Sequence, residues 1–217
     1  RISNETPLLV NVKPHGQYPV GEFGRAGGVR AVMKELEPLL HGDCLTVSGR
    51  TVAENLASAE TAFDREIIRP FDDPILPYGG ISVLRGNLAP GGAVVKRSAA
   101  SAHLLKHRGP ARVFDDLAEA EKYLLDENND MTWDTVIVLR GYGPKGAPGM
   151  PEFGNYLPIP KKLYRQGVKD FVRITDSRMS GGAFGTVILH CAPESAAGGS
   201  ESGVEVVLMR LRSFAMS

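Results

Sequence analysis

Two short stretches carry side chains whose types and spacing suit chemistry. The first, ITDSRMSGGAFGT, runs from Ile174 to Thr186 between two apolar segments. It sets Asp176, Ser177, Arg178 and Ser180 beside Gly181, Gly182 and Gly185. Glycines next to a hydroxyl let a ligand approach the backbone closely. A serine hydroxyl donates, accepts or, with its pKa lowered, acts as a base. The same pattern also describes an ordinary turn. It is not a G-x-S-x-G nucleophile elbow, because Arg178 stands where that motif needs glycine. Spacing does not make His190 a partner of Ser180.

The second stretch is RGYGPKGAPGMPE, Arg140 to Glu152, with four glycines and three prolines in thirteen residues. Such a loop fixes an irregular path and leaves backbone N–H groups able to form a nest for an oxyanion or carboxylate. Lys145 adds a positive charge, and Glu152 ends the loop with a carboxylate of the kind that suits Mg²⁺. A rigid surface turn is the plainer alternative. Other candidates are weaker. His103 and His107 are four residues apart but have no third ligand or intervening glutamate pattern. The glycines of GRAGGVRAVM precede a helix without the strand or the G-x-G-x-x-G spacing of a dinucleotide site.

Composition narrows the class. Of 217 residues, 42% are hydrophobic and 23% charged, an ordinary globular balance. Lys plus Arg is 25 and Asp plus Glu is 25, so no net charge draws the chain to nucleic acid or to an anionic membrane. No run of about 18 apolar residues predicts a transmembrane helix, and no segment reads as a signal peptide. Cys44 and Cys191 form no C-x-x-C pair and read as reduced thiols of an intracellular protein. Two cysteines cannot hold an iron–sulfur centre, which takes four protein ligands. The chain begins at Arg1 rather than Met, and is therefore expected to be a fragment or a processed product.

The elements that must position the two loops are short. The first 25 or so residues, rich in Pro and Gly, read as extended chain and turns. GGVRAVMKELEPLL reads as a helix with Val29, Val32, Met33 and Leu36 on one face. DCLTVSGRTVAENLASAE reads as a strand, a turn at Ser48-Gly49 and a polar helix. Strands are predicted at Ile81–Leu84, Ala93–Lys96, ARVFD, Thr135–Leu139, FVRIT, TVILH and a last GVEVVLMRL. Between them lie a helix capped by Asp115 or Asp116, with Leu117, Ala120, Leu124 and Leu125 buried, and a shorter one stopped near Gly167. Read on their own, these elements suit one mixed α/β domain of barrel-like character.

Several long motifs, in order, resemble the dihydroxyacid and sugar-acid dehydratase family. They are GRAGGVRAVMKEL, GDCLTVSGRTVAENL, GNLAPGGAVVKRSA, RGPARVFD, VIVLRGYGPKGAPGMPE and ITDSRMSGGAFGTVILHCAPESAAGG. The resemblance covers roughly residues 1 to 200. The run MPEFGNYLPIPKKLYRQGVKDFVRITDSRMSG is nearer the sugar-acid branch, of arabinonate or xylonate type. Branched-chain enzymes usually carry Gly and Phe where Ser177 and Met179 stand. Gly182 points the other way, because the sugar-acid branch often has Thr there.

The resemblance implies a hydro-lyase that removes water from a 2,3-dihydroxy acid to give a 2-keto-3-deoxy acid. It implies Mg²⁺ and an iron–sulfur cluster in the full-length enzyme, the cluster acting as Lewis acid on the C3 hydroxyl and the metal holding the carboxylate and C2 oxygen. By motif match, Ser180 is the base that takes the C2 proton, and Ser180, Gly181 and Lys145 contact substrate. Glu152 matches the glutamate that reaches the metal. The family's cluster cysteines, metal-binding acids and modified lysine lie in an N-terminal half that has no counterpart here. The expectation is therefore a C-terminal portion, inactive alone. Residues 1–75 would end the larger α/β domain. Residues 76–217 would form a short-stranded, swivelling β/β/α barrel-like domain with peripheral helices. The tail SESGVEVVLMRLRSFAMS departs from the family pattern. The implied partners are a small sugar acid or dihydroxy acid, with neither nucleic acid nor membrane, and further copies of the enzyme in a homo-oligomer. The implied compartment is cytoplasmic, or mitochondrial in a eukaryote. A branched-chain dihydroxy-acid dehydratase portion and a non-catalytic binding domain stand as alternatives.

Overall fold

A computed structural model describes residues 1–149, 152, 157–178 and 184–199. The chain divides into two compact units, Arg1–Gly80 and a second that begins at Ile81. Both are built from short elements, as the spacing of Gly and Pro predicts.

The first unit holds α1 (Ile2–Glu5), α2 (Val20–Arg25), α3 (Gly28–Glu35) and α4 (Val52–Leu56). Isolated β-bridges, such as Leu8 to Leu76 and Val10 to Ile68, tie its extended segments together. Thr51 and Glu54 cap α4 reciprocally: the Thr51 side chain accepts the Glu54 N–H at 3.1 Å and the Glu54 carboxylate accepts the Thr51 N–H at 2.8 Å. Ala26, Ala31, Ala62, Ile67 and Ile68 form the core. Two expectations change here. The stretch before α3 contains a helix, α2, and the buried residue of α3 is Ala31, while Val29 is exposed. Small side chains allow close packing on that face, so the larger apolar residues did not mark it.

The second unit is a mixed α/β structure around a six-stranded sheet. Its elements are β1 (Ile81–Leu84), β2 (Gly92–Lys96), β3 (Ala111–Phe114), α5 (Leu117–Leu125), β4 (Val136–Leu139), α6 (Lys161–Arg165), β5 (Arg173–Thr175) and β6 (Val187–Ala192). The strand order is β1-β2-β6-β5-β4-β3. β3, β4, β5 and β6 run parallel, whereas β1–β2 and β2–β6 are antiparallel. From β3 to β6 the chain steps one way across the sheet. Right-handed crossovers then bring both helices to the same face.

Alternation along the strands confirms two buried faces. Val136, Val138, Ile174 and Ile188 pack with Leu104 on one side. Ile137, Leu139, Val187 and Leu189 pack with Ala120, Leu124, Leu163 and Phe171 on the other. Each fully buried Leu or Ile contributes about 1.5–3 kcal/mol. Asp116 caps α5 by accepting the Glu119 N–H at 3.0 Å. Ala120 and Leu124 are buried as expected, but Leu125 is exposed. The helix ends at that residue, so the apolar stripe has no further neighbour to meet. The predicted strand GVEVVLMRL lies outside the described residues.

Candidate functional site

In a parallel sheet, ligands commonly meet the loops that follow the C-terminal ends of the strands. Here those ends carry Asp115 after β3, Arg140 to Tyr142 after β4, Asp176 to Arg178 after β5, and Glu194 and Ser195 after β6. Both stretches singled out in the sequence therefore start at one edge of the sheet.

Asp176 sits where the loops meet and is 1% exposed. Its carboxylate accepts the N–H groups of Gly141 (3.1 Å), Tyr142 (2.9 Å) and Ser195 (3.0 Å), and the Ser195 hydroxyl at 2.7 Å. Glu194 accepts the N–H of Lys145 at 2.8 and 2.9 Å and that of Gly146 at 3.3 Å. The nest anticipated in the Arg140–Glu152 loop thus exists, and at these two amides it holds the chain's own carboxylate. Sequence reasoning missed Glu194 because its partners lie nearly fifty residues away. The run of APES before a glycine pair was its one trace.

Glu152 forms a parallel β-bridge with Arg178, joining the far end of the first loop to the start of the second. Lys96, at the end of β2, belongs to the same neighbourhood. Burial pushes its ammonium below the usual lysine range, and the negative charge of Glu152 pulls it part of the way back. Sequence reasoning gave Lys96 no role, since a lone lysine at a strand end carries no signal. On the β3 side, Arg140 hydrogen-bonds the Asp115 carboxylate, which holds Asp115 below its usual pKa.

Of the residues named from sequence, Glu152 and Lys145 are described. The Lys145 main chain is fixed by Glu194, while its side chain is exposed. Ser180 and Gly181 lie outside the described residues. His190 has a left-handed backbone, φ 54°, at an exposed position of β6, and its N–H donates to the Ser177 carbonyl at 3.0 Å. His107 is buried, with its ring Nε2 2.8 Å from the Asp134 carbonyl oxygen, so it serves packing. A depression of about 470 Å³, lined in part by His103, Trp133, Gln166 and Lys169, opens at the opposite edge of the strands and includes neither Lys145 nor Glu152.

Among the described residues no three His, Cys, Asp or Glu side chains come together. Cys191 is buried in the apolar core of the second unit, and Cys44 is an exposed residue of the first. These donors do not fit an iron–sulfur cluster. Glu152, flanked by cationic neighbours, is a single carboxylate and does not make an Mg²⁺ site by itself.

Residues 66–205 match the model for the dihydroxy-acid/6-phosphogluconate dehydratase C-terminal domain, and residues 1–55 match that for the N-terminal domain. The chain is 51% identical to the L-arabonate dehydratase of Azospirillum brasilense over 94% of its own length and 35% of the relative's. It is 48% identical to the 6-deoxy-6-sulfo-D-gluconate dehydratase of Pseudomonas putida over 89% of its length and 34% of the relative's. With the dihydroxy-acid dehydratase of Ignicoccus hospitalis the figure is 44%, over 95% of the chain and 38% of the relative. The chain thus spans about a third of the length of the curated relatives it matches.

Proposed function

We propose, from the premise that this chain belongs to the dihydroxy-acid/6-phosphogluconate dehydratase family, that it is the C-terminal portion of a hydro-lyase. Its substrate is a 2,3-dihydroxy acid of the sugar-acid class, and its product a 2-keto-3-deoxy acid. The observation that carries this reading is the bridge between Glu152 and Arg178, within the matched region. It joins the two loops whose residues the reaction needs. The sugar-acid assignment rests on the arabonate- and sulfogluconate-acting relatives and on Ser177 and Met179. A branched-chain substrate is the second reading, favoured by Gly182 and by the similarity to dihydroxy-acid dehydratases.

In this assignment Ser180 takes the C2 proton on its Oγ. The electrons of the C2–H bond form a C2=C3 double bond as the C3–O bond breaks, and the departing hydroxide leaves as water with the proton that Ser180 took from C2. The enol that remains loses its C2 hydroxyl proton and gains one at C3, which gives the 2-keto-3-deoxy acid. Each pKa unit by which the serine must be lowered corresponds to about 1.4 kcal/mol, which only a preorganised set of positive groups and N–H donors can supply. Gly181 lets substrate reach the backbone, and Lys145 contacts substrate with a positive charge. Glu152 is the carboxylate that this chain contributes toward a metal. The family's Mg²⁺ and iron–sulfur cluster take their other ligands from outside this chain. Residues 1–75 are assigned to the larger domain of the whole enzyme and 76–217 to its barrel-like, swivelling domain. The whole enzyme is a homo-oligomer in the cytoplasm, or in the mitochondrion of a eukaryote. A carbonyl-trapping assay for 2-keto-3-deoxy product tests the reading, with the whole enzyme that contains this chain and a panel of sugar acids and branched dihydroxy acids. Turnover abolished by Ser180→Ala is the expected result. Turnover that survives this change removes Ser180 from the role.

A further inference from the structure

We propose that Asp176 is a positioning residue for this reaction: it holds the loop after β4, which leads to Glu152, against the loop after β5, which leads to Arg178. The inference rests on the function proposed above and adds a residue to its machinery.

The geometry is that of a closed network. A carboxylate has about four acceptor positions, and Asp176 receives four donors from two other loops: Gly141 and Tyr142 after β4, and the N–H and hydroxyl of Ser195 after β6. Ser195 also accepts the Gly141 N–H, at 2.6 Å, so donor and acceptor close the ring. Glu194 repeats the device one residue earlier, gripping Lys145 and Gly146. The loop after β4 is thereby fastened at its start by Asp176, in its middle by Glu194, and at Glu152 by the bridge to Arg178. Both the first and last fastenings fall on the short segment Asp176–Arg178, and Ser180 follows Asp176 by four residues. The described partners of the Asp176 carboxylate, Gly141, Tyr142 and Ser195, all lie beyond the ends of the strands. Its interactions connect loops, so its removal acts first on their relative placement.

Asp176→Asn keeps size and replaces one acceptor oxygen by an NH₂ that faces N–H groups. A misplacement of about 1 Å at a reacting centre lowers rate by roughly 100-fold. In the whole enzyme we expect kcat of Asp176→Asn to fall on the order of 100-fold with KM within about 3-fold. The deuterium isotope effect with C2-deuterated substrate should rise, because proton abstraction becomes the slow step. Amide exchange at Gly141, Tyr142 and Ser195 should accelerate. Ser195→Ala, which deletes one hydroxyl, is the milder variant should Asp176→Asn fail to fold, and it should move the same readouts in the same direction. A lower melting temperature with unchanged kcat per folded enzyme and an unchanged isotope effect overturns the proposal. Wild-type enzyme without dehydratase turnover overturns the function and the catalytic half of this inference together; the exchange data then judge the clamp by itself.

Discussion

The Thr186 hydroxyl donates to the Asp170 carboxylate at 2.7 Å, at the point where the chain re-enters the sheet as β6. Asp170 also accepts the N–H of Thr186 at 2.9 Å and of Ser101 at 3.2 Å, and faces the Arg173 guanidinium at 3.4 Å. Arg173 and Asp170 are 6% and 5% exposed. Burial pushes the Arg173 guanidinium down and the Asp170 charge opposes that, but an arginine stays charged in a protein. Breaking such a pair on one side strands a buried charge. Asp170→Asn is expected to cost about 3–5 kcal/mol in urea unfolding, followed by fluorescence of Trp133, the chain's one tryptophan. A loss below about 1 kcal/mol would refute the importance of the pair, since that is the range of exposed ion pairs.

The same site predicts the effect of Gly185→Ala. Gly185 has φ +101°, and a Cβ there would come within 2.2 Å of Arg173 Nη2 and 2.5 Å of Asp170 Oδ1. Backbone strain and a steric conflict with the ion pair then act together. We expect a loss of about 2–4 kcal/mol, and in the Asp170→Asn background a smaller one, because the two changes share partners. A double-mutant cycle measures this; strict additivity contradicts it.

Lys96 gives a pH dependence with a definite sign. Burial lowers its folded-state pKa below the ordinary 10.5. Between the folded value and 10.5 the unfolded chain binds more protons than the folded one, so stability rises with pH through that window. Below it, the buried ammonium is a standing cost. Lys96→Met should therefore leave stability unchanged or raise it by less than about 1 kcal/mol near neutrality, the charge being only half-buried and screened. It should also flatten the alkaline limb. Unfolding curves from neutrality up to the ordinary lysine value decide; a wild-type limb that falls relative to the variant reverses the sign argued here.

Regular features were legible in the sequence for physical reasons. Thr135 to Leu139 reads as a strand because it enters a continuous apolar run, and the strand found there, Val136–Leu139, is buried on both faces. Asp115 or Asp116 reads as a cap because an acceptor before an apolar helix has one common use, and the structure puts Asp116 there. Glycine and proline density located the Arg140–Glu152 loop. What could not be read is what fills it. Asp176 and Glu194 bind amides 19 to 49 residues away, and no local pattern encodes contacts of that separation. The exposure of Val29 and Leu125 was likewise invisible, because periodicity marks a face without saying whether a neighbour covers it.

The loop that leads to Glu152 offers a contrast between two glycines. A Cβ at Gly146 would meet the Gly141 carbonyl oxygen at 2.3 Å and its carbon at 2.7 Å, backbone atoms that cannot turn aside. Gly141 is itself tied to Asp176, so displacement there is transmitted to the network of Ser195. At Gly149, φ is +83° but no atom of the described residues lies within 4 Å of an added methyl group, so among these residues alanine meets only the cost of the left-handed backbone. That cost is about 1–2 kcal/mol. Gly149→Ala should therefore leave amide exchange at Gly141, Tyr142 and Lys145 close to wild type, whereas Gly146→Ala should raise it at least about tenfold, the equivalent of roughly 1.4 kcal/mol. Hydrogen exchange by NMR reads both variants directly. Equal protection in the two would mean that the close approach of Gly146 to Gly141 does not restrain the loop, and that the carboxylates of Asp176 and Glu194 hold it whatever stands at 146.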